Sequence, residues 1–404
     1  MIEAAEVLLW GTRIGHVSMK NDAWVAEFRY DGEFLDFGIE PSPLMMPVSS
    51  SAYSFPALRE ASFHGLPGML SDSVPDKFGN AVINEWLKAE GRLPNSLTPI
   101  ERLSYTGTRG MGALEYRPTI MRGEDQSEVV HVDKLSELAA AVLADRKSAS
   151  LFLKENFNSY ASILKVGTSA GGARAKALIG LNEKTGEVRS GQVKLPDDFG
   201  YWLIKFDGVS GNGDKDGEDA AGYGKREYEY YLKAKAAGIE MMESRLWQGR
   251  HFMTRRFDRT ENGGKLHTQT LAALAHFDYN DPNANSYEQA FKVTRRLVND
   301  VRADRQLVRR MAFNVYAWNC DDHVKNISYI MNRSGEWALA PAYDLCYAYN
   351  PTGDWTSGHQ MSINGKRRGI TDEDMLKAAL TTGLSRAEIL SLLNQVKEVL
   401  VDES

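Results

Sequence analysis

The sequence predicts an α+β chain in three parts: a β-rich N-terminal subdomain (1–120), a mixed lobe (121–262) and an all-α C-terminal lobe (263–404). Three observations predict it. Ala23–Tyr30 alternates apolar and polar residues with a period near two, as a half-buried strand does. From residue 265 onward the apolar residues recur at helical spacing. A chain of 404 residues also exceeds what one hydrophobic core usually holds.

The elements follow in order. Val7–Gly11 and Gly15–Met19 read as a hairpin, and the strand at 23–30 stops at Asp31-Gly32, a tight-turn dipeptide. Asp76–Gly91 reads as a helix, with Pro75 before it and Gly91 as its stop. Gly107, Gly110 and Gly112 mark a turn feeding a strand at 113–116; no lysine follows at Walker spacing, so the turn is a plain one. Residues 121–135 are polar and charged and read as a linker, with a helix near 134–145. A second glycine-rich segment, 166–176, precedes strands at 177–181 and 201–206. The glycine- and aspartate-rich stretch 208–224 reads as a surface loop, followed by a helix near 226–237 that ends at Gly238. A strand at 251–259 leads into the turn Asn262-Gly263-Gly264. Helical spacing then covers 271–277, 287–297, 307–318, 374–380 and 385–401.

Composition excludes several classes. With 43% hydrophobic and 25% charged residues the chain is ordinary globular. A net charge of -6 argues against a protein that coats nucleic acid over its whole surface. Two cysteines, Cys320 and Cys346, cannot build a disulfide framework and read as free thiols in a reducing compartment. No apolar run approaches the roughly 20 residues that span a bilayer. The acidic start, Met1-Ile2-Glu3-Ala4-Ala5-Glu6, is unlike a secretory leader. The expectation is a soluble cytoplasmic protein with no membrane partner.

The chemistry concentrates in Asn319-Cys320-Asp321-Asp322-His323-Val324-Lys325-Asn326 and in Asp344. Asp321 and Asn326 stand five apart, the spacing of the protein-kinase catalytic loop. There the Asp receives the hydroxyl proton, the Asn holds Mg²⁺, and an Asp on a nearby segment supplies the other metal carboxylate. Other parts follow kinase order: the glycine-rich loop, Lys205 at a strand end, Glu227 at the next helix, and a strand at 251–258. The fold expected is therefore bilobal and protein-kinase-like, with ATP and Mg²⁺ as cofactors. Each part has a plainer reading. Lys205 also fits a strand-end lysine reaching to solvent. Glu229 could replace Glu227. His323 fits a structural histidine, and Arg256 with Asp258 fits a surface ion pair.

Together these motifs resemble the HipA-type serine/threonine protein kinases, toxin components of bacterial toxin–antitoxin pairs. Ser169-Ala170-Gly171-Gly172-Ala173-Arg174-Ala175-Lys176 resembles that family's S-x-x-G-A-x-x-K loop. Arg256-Phe257-Asp258-Arg259 matches R-F-D-R, Asp321 to Asn326 matches D-x-H-x-K-N, and Pro341-Ala342-Tyr343-Asp344-Leu345 matches P-x-Y-D-L. Gly65 to Asp76 resembles the family's N-terminal subdomain, so the likeness covers roughly residues 5–385.

The resemblance implies roles. Asp321 would be the base, assisted by His323 and Lys325, with Asn326 and Asp344 on Mg²⁺. Lys205 would contact the phosphates, paired with Glu227, and the loop Ser169, Ala170, Gly171, Gly172 with Lys176 would cover them. Arg255 and Phe257 would reach the adenine through backbone groups, with Asp258 near the ribose. Ser169 matches a serine whose autophosphorylation closes the ATP loop. Asp322 departs from the family pattern and leaves open which Asp is the base; the spacing to Asn326 favours Asp321. The implied partners are a HipB-like helix-turn-helix antitoxin, operator DNA through it, and a protein substrate of translation such as an aminoacyl-tRNA synthetase. Two competing readings are a small-molecule phosphotransferase of the aminoglycoside or choline kinase kind, and an inactive corepressor.

Overall fold

The computed structural model describes residues 2–20, 23–120, 127–143, 174–209, 213–214, 217–218 and 221–401. The N-terminal hairpin forms as expected, β1 (Ala4–Leu9) pairing antiparallel with β2 (Thr12–Ser18). With β3 (Glu27–Tyr30), β4 (Ala52–Tyr53) and β5 (Leu114–Arg117) it builds a sheet of order β4-β3-β2-β1-β5. The expected strand at 23–30 keeps only its last four residues. Asp31-Gly32 opens a 3-10 turn, Gly32–Phe34, in place of a tight hairpin. The turn buries Phe34 and stacks it on Tyr30, at 5.9 Å between rings.

Short helices α1 (Glu60–Phe63) and α2 (Gly68–Ser71) precede α3 (Lys77–Ala89) and α4 (Pro99–Thr106). Asp76 caps α3 by accepting the Gly79 N–H, and Gly91 beyond its end takes φ +73°. Thr98 and Glu101 form a capping box on α4. The C-terminal part of the expected linker is helix, because α5 (Val132–Leu143) begins there to bury Val132 and Leu135.

A second sheet has the order β11-β12-β8-β6-β7. Its strands are β6 (Lys176–Leu181), β7 (Val188–Ser190), β8 (Gly200–Lys205), β11 (Ser244–Trp247) and β12 (His251–Arg255). A two-residue hairpin, β9 (Gly213–Asp214) with β10 (Gly217–Glu218), sits within the expected surface loop. Helix α6 (Tyr223–Ala236) starts earlier than the sequence suggests. Gly224 lets it approach the second sheet, since a Cβ there would lie 2.2 Å from the Arg250 carbonyl oxygen. Val82, Ile83 and Leu87 of α3 join Ile179, Trp202, Ile204 and Met253 in one apolar core. Helix α3 thus packs with the second sheet, although the sequence places it in the first subdomain.

Helices α7 (Leu271–Ala275), α8 (Tyr287–Leu297), α9 (Val301–Tyr316), α10 (Asp372–Ala379) and α11 (Arg386–Val401) surround the third core. The expectation of an all-α C-terminal lobe is corrected. A third antiparallel sheet, β13 (His267–Thr270), β14 (Ser328–Met331) and β15 (Trp337–Leu339), lies within it. Its inward residues on β13 are His267 and Gln269, both fully buried, so no apolar alternation announces the strand. Met331 of β14 reaches the N-terminal core. Among the described residues no helix is long and apolar enough to cross a membrane, and both cysteines are free and buried.

Three histidines near the junction of the N-terminal and C-terminal parts are held neutral. His276 accepts the Gly68 N–H at Nε2 (3.1 Å) and packs edge-on against Phe55 and Phe63. His267 Nε2 donates to the Pro41 carbonyl at 2.8 Å. Burial lowers the pKa of His64, His267 and His276 to about 4, with Lys325 and Arg102 adding to the effect on His64. The unfolded chain, with histidines near 6.5, binds more protons than the folded one between those values. The stability they contribute is complete above about pH 6.5 and is lost as pH falls toward 4. Urea midpoints should therefore drop from pH 7 to pH 5 at unchanged m-value; a flat profile would contradict it.

Candidate active site

Lys205 ends β8 facing α6 and the segment that carries Asp344. Its Nζ donates to Glu227 Oε1 at 2.5 Å and to Asp344 Oδ1. Glu229 is exposed, so Glu227 is the glutamate partner. Burial opposes the charge of Lys205, but the Asp344 and Glu227 carboxylates raise its pKa above the usual lysine value. Burial likewise opposes the charge of Asp344, whose pKa is held at about 2 by Lys205, Lys176 and Arg174. Asp344 takes a left-handed backbone, φ +55°, which costs a non-glycine residue strain that the surroundings must sustain.

The loop after α9 carries the other groups. Trp318 also turns left-handed, φ +56°. Asn319 Nδ2 donates to Asn314 Oδ1 (2.8 Å) and to the Asp344 carbonyl (3.2 Å), joining the two segments. The Tyr343 hydroxyl donates to the Lys325 carbonyl at 2.7 Å and adds a second tie. Asp321 accepts the Trp355 indole N–H at 2.6 Å, and His323 Nε2 lies 4.0 Å from the same Oδ1. Asn326 ends a 3-10 turn, Val324–Asn326, and its Nδ2 donates to the Asp321 carbonyl at 2.9 Å. Lys325 Nζ sits 4.6 Å from the Tyr279 ring centre.

Asp322 differs from Asp321. It is buried, and its oxygens accept from the Tyr287 hydroxyl (2.9 Å), His359 Nδ1 (3.0 Å) and the Gln360 N–H (2.7 Å). Burial works against a charge on His359, yet Asp322 foremost raises its pKa to about 10. Asp322 is thus the buried partner of an imidazolium, and Asp321, about a fifth exposed, is the carboxylate that can meet a substrate.

Residues 5–117 match the HipA N-terminal domain, and residues 168–403 match the HipA-like C-terminal domain. The chain belongs to the HipA family. No curated protein sequence matches it. Its fold is similar to that of a chain in the Shewanella oneidensis MR-1 toxin–antitoxin complex of HipA, HipB and operator DNA, with a TM-score of 0.66 and 17% identity. That match covers 98% of this chain and 88% of the other. A second chain, the Helicobacter pylori proinflammatory kinase CtkA, is 12% identical over 50% of this chain and 88% of its own, with a TM-score of 0.31.

The structure of this HipA-family chain places the remaining predicted site residues unevenly. Ser169, Ala170, Gly171 and Gly172 lie outside the described residues. Lys176 stands opposite Lys205 on the neighbouring strand, but its buried Nζ pairs with Asp76 at 3.2 Å. Phe257 stacks on Tyr343, 5.6 Å between rings, beside Asp344. The backbone N–H of Arg255 donates to the Glu243 carbonyl at 2.9 Å, which continues the β11–β12 pairing. Its side chain covers Trp202 at 4.9 Å and bonds Glu243. Asp258 is fully buried and bonded to Arg256, Arg259 and the Gly112 N–H, so its ion pair is an interior one and not a surface pair. Sequence reasoning missed Trp355. Its only signal is a large aromatic residue inside the loop-like run Gly353-Asp354-Trp355-Thr356-Ser357-Gly358.

The donor set fits Mg²⁺. Asp344 offers a carboxylate held ionised, and Asn326, its amide nitrogen bound to Asp321, offers an oxygen; both border one small cavity of about 20 Å³ that also meets Asn319 and Asp322. That space suits about one water and is far below nucleotide size. Among the described residues no group of three His, Cys, Asp or Glu side chains is arranged to hold a metal ion. One carboxylate and one amide match an ion that completes its shell with waters and substrate phosphates.

Proposed function

We propose that this chain is a HipA-type serine/threonine protein kinase that transfers the γ-phosphate of ATP to a protein hydroxyl. The observation that carries the reading is Lys205 held between Glu227 and Asp344, with Asp321 and Asn326 on the adjoining loop. Lys205 would meet the ATP phosphates as a fixed cation, kept charged and aimed by the two carboxylates. Asp321 would orient the acceptor hydroxyl and take its proton as the oxygen bonds phosphorus and ADP departs. Asn326 and Asp344 would hold Mg²⁺, which when bound offsets the phosphate charge. Lys325 and His323 border the same loop and would help seat the acceptor.

The parts proposed for this chain are an N-terminal β-rich subdomain, a nucleotide-binding lobe and a lobe carrying the catalytic loop. The biological role proposed is a growth-inhibiting toxin in the cytoplasm that acts on translation, through an aminoacyl-tRNA synthetase for example. The proposed partner is a HipB-like antitoxin that carries operator DNA, supported by the HipA–HipB–DNA assembly of the similar Shewanella oneidensis chain. Ser169 is proposed as an autophosphorylation site and off switch. A phosphate there adds about -1.5 to -2 charge beside a site that must accept ATP.

Mass spectrometry after incubation with ATP and Mg²⁺ tests the reading. The expected result is phosphate on Ser169, with radiolabel transferred to protein acceptors. Label appearing only on aminoglycosides or choline would replace it with a small-molecule phosphotransferase, and no transfer at all would leave the corepressor reading.

A further inference from the structure

One contact to the Asp321 carboxylate comes from outside the loop that carries it. Trp355 is 8% exposed and donates its indole N–H to Asp321 Oδ1 at 2.6 Å, short enough for a charge-assisted bond. Its segment follows Asp344 and is fastened to the catalytic loop at several points. Gln360 Nε2 donates to the Trp355 carbonyl (2.5 Å) and the Cys320 carbonyl (3.1 Å). The Gln360 N–H and His359 Nδ1 reach the buried Asp322 at 2.7 and 3.0 Å. Residues 320–322 and 355–360 therefore form one hydrogen-bonded unit. Asp321 sits at its partly exposed edge and Asp322 inside it.

We propose that Trp355 is a positioning residue for Asp321, an inference that rests on the kinase reading above. The indole fixes the plane of the carboxylate, so that the acceptor hydroxyl meets it in one orientation. Asp322, through His359 and Gln360, anchors the segment that carries the indole. The residue type suits the task. An indole has one N–H donor and no acceptor, so it cannot compete for the proton that Asp321 receives. Its rigid ring has few torsions to freeze. A free carboxylate rotates, and misorientation at a reacting centre costs rate without weakening nucleotide binding.

Trp355→Phe keeps most of the ring packing and removes the donor. Single-turnover and steady-state assays on the full chain should show kcat lower by about 10- to 100-fold with KM for ATP unchanged. In an Asp321→Asn background the same change should alter the residual rate by no more than about twofold, because the indole acts through that carboxylate. If Trp355→Phe fails to fold, 3-benzothienylalanine at position 355, with sulfur in place of the N–H, preserves the ring shape and should give the same loss. An active wild type with an unaffected kcat in either variant overturns the inference alone. Equal losses in both backgrounds also overturn it, since they mark a packing role. A wild type silent toward every acceptor overturns the kinase reading, and this inference with it.

Discussion

Asp321→Asn should reduce phosphoryl transfer by about 10²- to 10⁴-fold while the protein stays folded. The change removes the proposed proton acceptor and keeps side-chain volume. Asp321 is about a fifth exposed, and an Asn oxygen can still accept the Trp355 N–H, so little folding energy is at stake. Asp322→Asn is the informative contrast. It neutralises the buried partner of His359 in contact with the Tyr287 hydroxyl and the Gln360 N–H. Breaking a buried ion pair by removing one partner is strongly destabilising, so Asp322→Asn should lower the melting temperature. Radiolabel transfer and circular-dichroism melts on both variants separate the two acids. Near-full activity in Asp321→Asn would mean that another group receives the proton.

The five-residue spacing from Asp321 to Asn326 was legible because loop chemistry at this site is local in sequence. Lys205 was legible because it ends a well-patterned strand, and Glu227 because it lies in the first half of the helix that follows. The choice of Glu227 over Glu229 was not, since both lie on one turn of helix and only the packing of α6 on the second sheet buries one of them. The third sheet was hidden because its buried residues on β13 are polar. The surroundings of Asp258 were hidden for a related reason: with Arg256 it reads as a surface ion pair, whereas three-dimensional packing buries it between two guanidinium groups. Trp355 was invisible as a partner because its link to Asp321 spans 34 residues, β14 and β15 among them, and no sequence pattern ties the two.

The largest structural effect is expected at Asp258. Its carboxylate is fully enclosed, accepting from Arg256 Nε and Nη2 (2.9 and 2.7 Å), Arg259 Nη1 (2.6 Å) and the Gly112 N–H (2.7 Å). Gly112 belongs to the turn that feeds β5 and takes φ +75°, where a side chain would be strained. Arg256 Nη1 also donates to the Gly191 carbonyl beside the second sheet, at 2.9 Å. The carboxylate thus links the N-terminal sheet to the middle one. Asp258→Ala leaves two buried guanidinium groups with no counter-charge, a situation that costs about 3–5 kcal/mol. Against a typical total of about 5–15 kcal/mol, that is a large fraction. Burial alone would raise the Asp258 pKa, but Arg256 and Arg259 hold it well below the usual carboxylate range. A depressed carboxylate stabilises the fold above its unfolded pKa, near 3.9, and loses that contribution as pH falls through the folded value. The gap in urea midpoint between wild type and Asp258→Ala should therefore be widest near neutrality and narrow below pH 4. Limited proteolysis should also cut the variant first between the two sheets. A variant as stable as wild type at pH 7 would show that the guanidinium groups find other partners when Asp258 is gone.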